Sequence, residues 1–182
     1  MSYTKDLFDK LVFPVENFSG IEDDLYQEIN EIINGRIIFD TMEKDFVYLK
    51  NSNKIPIKNT ATGIKSFGLL QMLIRNNFIN RKSILIIDEP EVHLHPKWQL
   101  KYAQIIIALI KSNVDIIVAS HSPYMIEALK RYSDIAGLSK KANFYLSQDE
   151  KIENENNLEE IFEILSEPFE EFRRLDASMM KS

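Results

Sequence analysis

The stretch SILIIDEPEVHLHP, Ser83 to Pro96, decides the fold. Its first part, Ser83–Ile87 (SILII), is a continuous apolar run bounded by polar residues, as expected of a strand buried on both faces. Two carboxylates, Asp88 and Glu89, end it. A parallel sheet opens its ligand crevice at the carboxyl ends of its strands, and carboxylates at the edge of a core are costly unless paired or bound to metal. Adjacent residues leaving a strand point in different directions, so one can hold a cation while the other faces a water. The plainer alternative is a helix cap beside a surface acid.

Working outward, the next segments repeat this plan. Pro96 to Lys111 reads as a helix, with Pro96 at the first position, where its missing N–H costs nothing. Asp115–Ala119 (DIIVA) reads as a second buried strand, followed by Ser120-His121-Ser122 and by Pro123, which opens a helix to Lys130. A lone histidine after a strand is more often a capping residue than a catalytic one, but the neighbouring Asp88–Glu89 strand raises the functional reading of His121. Asn143–Leu146 (NFYL) reads as a third strand. Strands alternating with helices imply right-handed crossovers and a mostly parallel sheet, an α/β fold. The strands Ser83–Ile87 and Asp115–Ala119 should then run the same way, with Asp88, Glu89 and His121 at one edge.

Upstream, Ile64, Phe67, Leu70 and Ile74 share one helical face. Arg36–Phe39, Phe46–Leu49 and the Pro56-bearing run Ile55–Ile57 suggest a small antiparallel β element, the last at an edge. Ile21, Leu25, Ile29 and Ile33 make the stripe of a helix over Ile21 to Ile33. Downstream, Glu150–Asn157 reads as a polar linker. Leu158, Ile161, Phe162 and Leu165 mark a helix broken by Pro168, and Phe169, Phe172 and Leu175 mark another. No internal repeat is visible.

The bulk composition limits the function classes. A chain of 182 residues suits one domain, against a usual size of about 100–200 residues. It is 45% hydrophobic and 27% charged, ordinary for a globular protein. No stretch approaches the about 20 apolar residues that span a bilayer, and MSYTKDLFDK is not a signal peptide. There is no cysteine, which excludes disulfides and thiolate metal sites. These features point to the cytoplasm with no membrane partner. The net charge of −6 argues against a whole-surface footprint for nucleic acid, and the acidic run Asp149 to Glu171 reads as a solvated face.

At these motifs the sequence resembles the ABC-type ATPases, in the SMC-like branch of bacterial ATPases often labelled AAA-family. SILIIDEP is similar to their Walker B motif, EVHLHP to the loop that follows it, and VASHSP to the histidine switch. Thr60–Ser66 (TATGIKS) resembles the signature motif. The longer strings ATGIKSFGLLQ and DEPEVHLHPKWQLKYA resemble a bacterial subgroup, some of whose members serve in anti-phage or mobile-element systems. The resemblance covers residues 35 to 146. It implies ATP and Mg²⁺ as cofactors, with Asp88 orienting Mg²⁺, Glu89 as general base and His121 reaching the γ-phosphate. It further implies that Thr62, Gly63 and Lys65 act on the nucleotide of a second subunit in a homodimer, so that Gly63 lies away from Asp88, Glu89 and His121 within one chain. An effector protein or DNA would complete the set of partners.

Three departures qualify the resemblance. Ala61 stands where the signature usually has serine. His95 stands where transporters of the family have an aspartate, although the SMC-like branch often shows this histidine. No Gly-x-x-x-x-Gly-Lys-Ser/Thr occurs anywhere; the frame from Gly63 to Gly68 continues with Leu69 and Leu70 and lacks both the lysine and the hydroxyl. In the family that Walker A loop lies in an N-terminal lobe, before a helical or coiled-coil insertion. The expected organisation is therefore a remnant of the insertion over 1–34, the C-terminal ATPase lobe over 35–146 and a helical extension over 147–182. On this reading the chain is a fragment, a split-gene product or a degenerate relative, inactive alone. Two rivals remain: a non-catalytic dimerisation or partner-binding module, and a metal hydrolase built on His93, His95 and His121 with the two carboxylates.

Overall fold

The structure is a computed structural model and describes residues 3–13, 23–148, 150–154 and 158–179. The chain divides into two compact units, Met1–Ser120 and His121–Ser182.

In the first unit the order is α1 (Tyr3–Val12), α2 (Asp23–Ile33), β1 (Arg36–Asp40), β2 (Asp45–Lys50), β3 (Asn53–Pro56), a short 3₁₀ turn Ile57–Asn59, α3 (Thr62–Arg75), β4 (Ile84–Asp88), α4 (Pro96–Lys111) and β5 (Asp115–Ala119). The antiparallel element expected from β-branched and aromatic runs is a three-stranded sheet, β1-β2-β3, with Pro56 on the edge strand. The α2 stripe buries Leu25, Ile29 and Ile33; Ile21, read as its first member, lies outside the described residues. Helix α3 seats itself on this sheet through Gly68. A Cβ there would stand 1.9 Å from Ile37 Cδ1, so a side chain at 68 would push helix and strand apart. Beside it, the fully buried Gln71 accepts the Ile37 N–H through Oε1 at 3.0 Å, satisfying a backbone donor that the sheet does not. The core behind α3 collects Phe67, Ile74, Ile105, Ile106, Leu109 and Val114.

β4 and β5 pair in parallel, Ile84 opposite Asp115 through Asp88 opposite Ala119, with α4 as the connection. Parallel strands joined by this helix are what the sequence predicts. The burial is not. Accessibility alternates along both strands, and Ile84, Ile86 and Ile117 are 69%, 71% and 58% exposed. The pair is covered on one face, where α4 lies along β5, and open on the other. The reading of both strands as buried on two faces is corrected accordingly: among the described residues the parallel sheet has two strands and no layer on its second face.

The second unit contains α5 (Pro123–Ile135), β6 (Tyr145–Gln148), β7 (Lys151–Asn154) and α6 (Glu159–Met179). Here two expectations change. The third strand begins at Tyr145 and pairs antiparallel with β7, within the segment read as a polar linker. A left-handed Glu150 (φ +63°) between the two strands supplies the reversal. Pro168 does not end a helix, since α6 runs through it; a proline inside a helix removes one hydrogen bond without removing its neighbours. Leu158 and Ile161 anchor the start of that helix in buried positions.

Candidate active site

Asp88 and Glu89 leave the carboxyl end of β4 as the motif requires, and both are exposed. Strand alternation puts Asp88 on the open face with Ile84 and Ile86. Glu89 then turns sharply. Its φ is +46°, a left-handed value uncommon for a residue with a side chain, and its N–H donates to the Ala119 carbonyl at 2.9 Å. That bond extends the β4–β5 ladder one residue past the strand and fixes the direction in which the carboxylate departs. A second left-handed residue, His93 (φ +63°), closes the turn before α4. Backbone strain of this kind collects at functional sites when surrounding contacts hold it.

Two such contacts come from Ser120 and Gln99, to which the sequence reading gives no role. Ser120 Oγ donates to Glu91 Oε1 at 2.8 Å, tying the end of β5 to the turn. Gln99 Nε2, buried, donates to the Leu94 carbonyl at 3.0 Å. His95 is the N-cap of α4: its Nδ1 accepts from the Lys97 N–H at 3.3 Å, which gives this histidine a structural task within the chain. His121 belongs to the second unit, where it precedes Ser122, the N-cap of α5, whose side chain accepts from the Met125 N–H.

The start of α3 carries the remaining residues singled out. Ala61 is its N-cap and offers no side-chain acceptor, unlike His95 on α4, so Thr62 and Gly63 begin the helix without a side-chain cap. The first N–H groups of a helix have no intrahelical partner and, with the helix dipole, favour an anion. Lys65 stands one turn in, its Nζ 3.4 Å from the Lys58 carbonyl. Gly63 is buried against the turn that follows the carboxylates: a Cβ there would lie 3.0 Å from both Leu94 Cδ2 and Trp98 Cε3. Trp98 continues into the core through edge-to-face contact with Phe67, and Phe67 meets Tyr102, whose hydroxyl pKa burial pushes up to about 12. Trp98 falls within the string DEPEVHLHPKWQLKYA that carries the resemblance, and it is the single tryptophan of the chain, but neither signal assigns it a role.

The donor chemistry fits Mg²⁺ with a nucleotide in part. Mg²⁺ is usually held by one or two carboxylates together with substrate phosphates and waters, which suits an exposed strand-end aspartate. Among the described residues no group of three or more His, Asp or Glu is placed to hold a metal by itself. A glycine-rich phosphate loop is absent from the sequence.

Comparison with known proteins bears on the family and the fold. The family described as AAA ATPase domain matches residues 2–126. The chain is 28% identical over 135 residues to the Septu protein PtuA of Bacillus thuringiensis, covering 72% of this chain and 32% of that protein. It is 32% identical over 99 residues to the Retron Vc95 probable ATPase of Vibrio cholerae serotype O1 biovar El Tor, covering 47% of this chain and 18% of that one. Among solved structures, the Smc head domain with an extended coiled coil, bound to the C-terminal domain of ScpA, from Pyrococcus furiosus, superposes with a TM-score of 0.50 at 16% identity. That match covers 82% of this chain and 38% of the other, and bears on fold alone. The chain thus spans a third or less of the two curated relatives.

Proposed function

The chain belongs to the AAA ATPase domain family, and from that premise we propose that it forms the C-terminal lobe of an SMC-like ABC ATPase, the half that carries the catalytic carboxylates. One observation carries the reading: Ile84, Ile86 and Ile117 are open on the sheet face that ends in Asp88. Parallel sheets are normally covered on both faces, and any layer laid on this one ends beside Asp88. A lobe bearing a phosphate loop meets both needs. It comes from residues outside these 182, in a longer protein or a separate chain.

In that assembly Asp88 orients Mg²⁺, and Glu89 takes the proton of the attacking water as general base. His121 hydrogen-bonds the γ-phosphate. Thr62, Gly63 and Lys65 act across a homodimer, offering N–H groups and positive charge to the γ-phosphate of the other subunit's nucleotide. The metal, when bound, neutralises charge on the phosphates, which is most of what phosphoryl transfer asks of a protein. Ala61 supplies no hydroxyl there, so backbone N–H groups and Lys65 carry that contact. On this proposal the assembled protein works in a cytoplasmic phage-defence system with an effector protein or DNA as partner; its similarity to the Septu protein PtuA and to the Retron Vc95 probable ATPase supports that reading. The second reading is a non-catalytic dimerisation or partner-binding module; the absence of a phosphate loop from the sequence favours it.

Glu89→Gln in the assembled protein separates the two. The amide keeps the shape but cannot accept the proton, so turnover should fall about 10²–10⁴-fold while ATP stays bound and a dimer accumulates. Unchanged turnover would remove Glu89 from its role, and failure of the unmodified assembly to bind ATP would favour the module.

A further inference from the structure

Trp98 stands in the first turn of α4, where its N–H donates to the His95 carbonyl at 2.7 Å. Its ring meets Phe67 with centroids 5.5 Å apart and planes at 79°. The edge of the ring lies over Gly63: a Cβ at 63 would stand 3.0 Å from Cε3 and 3.2 Å from Cζ3. Leu94 closes the same space with Cδ2 at 3.0 Å. Leu94 is itself held, its N–H donating to the Glu91 carbonyl at 2.8 Å and its carbonyl accepting from Gln99. The first turn of α3 and the turn that begins at Glu89 therefore share one wall, made of Trp98 and Leu94, and a methyl group at 63 fits only if that wall gives by a few tenths of an ångström.

Close-packed interiors transmit displacement because they cannot absorb it. Movement of the α3 start, through Thr62, Gly63 or Lys65, bears first on the Trp98 ring and on Leu94. Leu94 lies inside the turn whose backbone is left-handed at Glu89 and His93. From this geometry we propose that Trp98 is a positioning residue for hydrolysis, setting where the Glu89 turn stands relative to the phosphate-facing start of α3. The proposal rests on the ATPase reading above. It adds a link within one chain between the surface offered to a neighbouring subunit's nucleotide and the base that acts on this subunit's own.

The test is steady-state ATP turnover by the assembled protein carrying Trp98→Phe, Gly63→Ala or both, each first shown to be folded by circular dichroism. An ångström of misplacement in a catalytic site costs up to about 10²-fold. Each single variant should lower kcat about tenfold and leave KM for ATP within about twofold. The double variant should be no slower than Gly63→Ala alone, because the smaller phenyl ring vacates the space the new methyl needs. A Gly63→Ala chain that folds only in company with Trp98→Phe supports the same contact, and Trp98→Phe alone then decides the effect on kcat. Losses that multiply in the double variant, or that fall on KM and spare kcat, overturn the relay alone. An unmodified assembly that does not hydrolyse ATP overturns the ATPase reading and the relay together.

Discussion

The antiparallel sheet β1-β2-β3 and the parallel pair β4-β5 lie in the same unit and are finished to different degrees. The first is sealed: α3 sits on it through Gly68, Gln71 satisfies the Ile37 N–H, and Val47 and Ile37 are buried. The second is half-built, with three isoleucines exposed on the face that leads to Asp88. The difference teaches where this chain is self-sufficient. The region around α3 is packed by residues of this chain, whereas the sheet that ends in Asp88 has one open face among the described residues.

Substitution should expose that contrast. Phe67 is fully buried between Trp98 and Tyr102, so Phe67→Ala in the chain alone should cost about 3–5 kcal/mol, read as a large drop in the denaturant midpoint. Ile86→Ser, on the open face, should change the stability of the same chain by about 0.5 kcal/mol or less. In the assembled protein, where the face is covered, it should weaken association and turnover markedly. An Ile86→Ser chain as destabilised as Phe67→Ala would mean that the face is already buried in solution, and the contrast would fail.

Much of this fold is legible in the sequence because local pattern and tertiary role coincide. The extents of α4 and β5 match the pattern residue for residue, Pro96–Lys111 and Asp115–Ala119, since a proline start and a short β-branched run are strong local signals. The burial of β4 and β5 misleads for a physical reason. An apolar run carries no mark of which chain covers it, so Ile84 and Ile86 read as buried although the described residues do not bury them. The β6–β7 hairpin is obscured by its polar residues, Lys-Ile-Glu-Asn, which carry no apolar alternation. At the candidate site, Asp88 and Glu89 are visible as carboxylates after an apolar strand. The left-handed backbone at Glu89 and the seat of Gly63 against Trp98 are not. The first goes with a hydrogen bond to the Ala119 carbonyl on the next strand and the second with packing between residues far apart in sequence.

The central claim is that this chain holds the catalytic carboxylates and that the phosphate cradle lies outside it. Calorimetric titration of the 182-residue chain with ATP in Mg²⁺ tests that most directly. The account predicts millimolar or weaker affinity, less favourable than about −4 kcal/mol, because the lysine and most backbone donors to the β- and γ-phosphates are absent. Micromolar binding by the chain alone would contradict it and would mean that these residues form a phosphate cradle of their own.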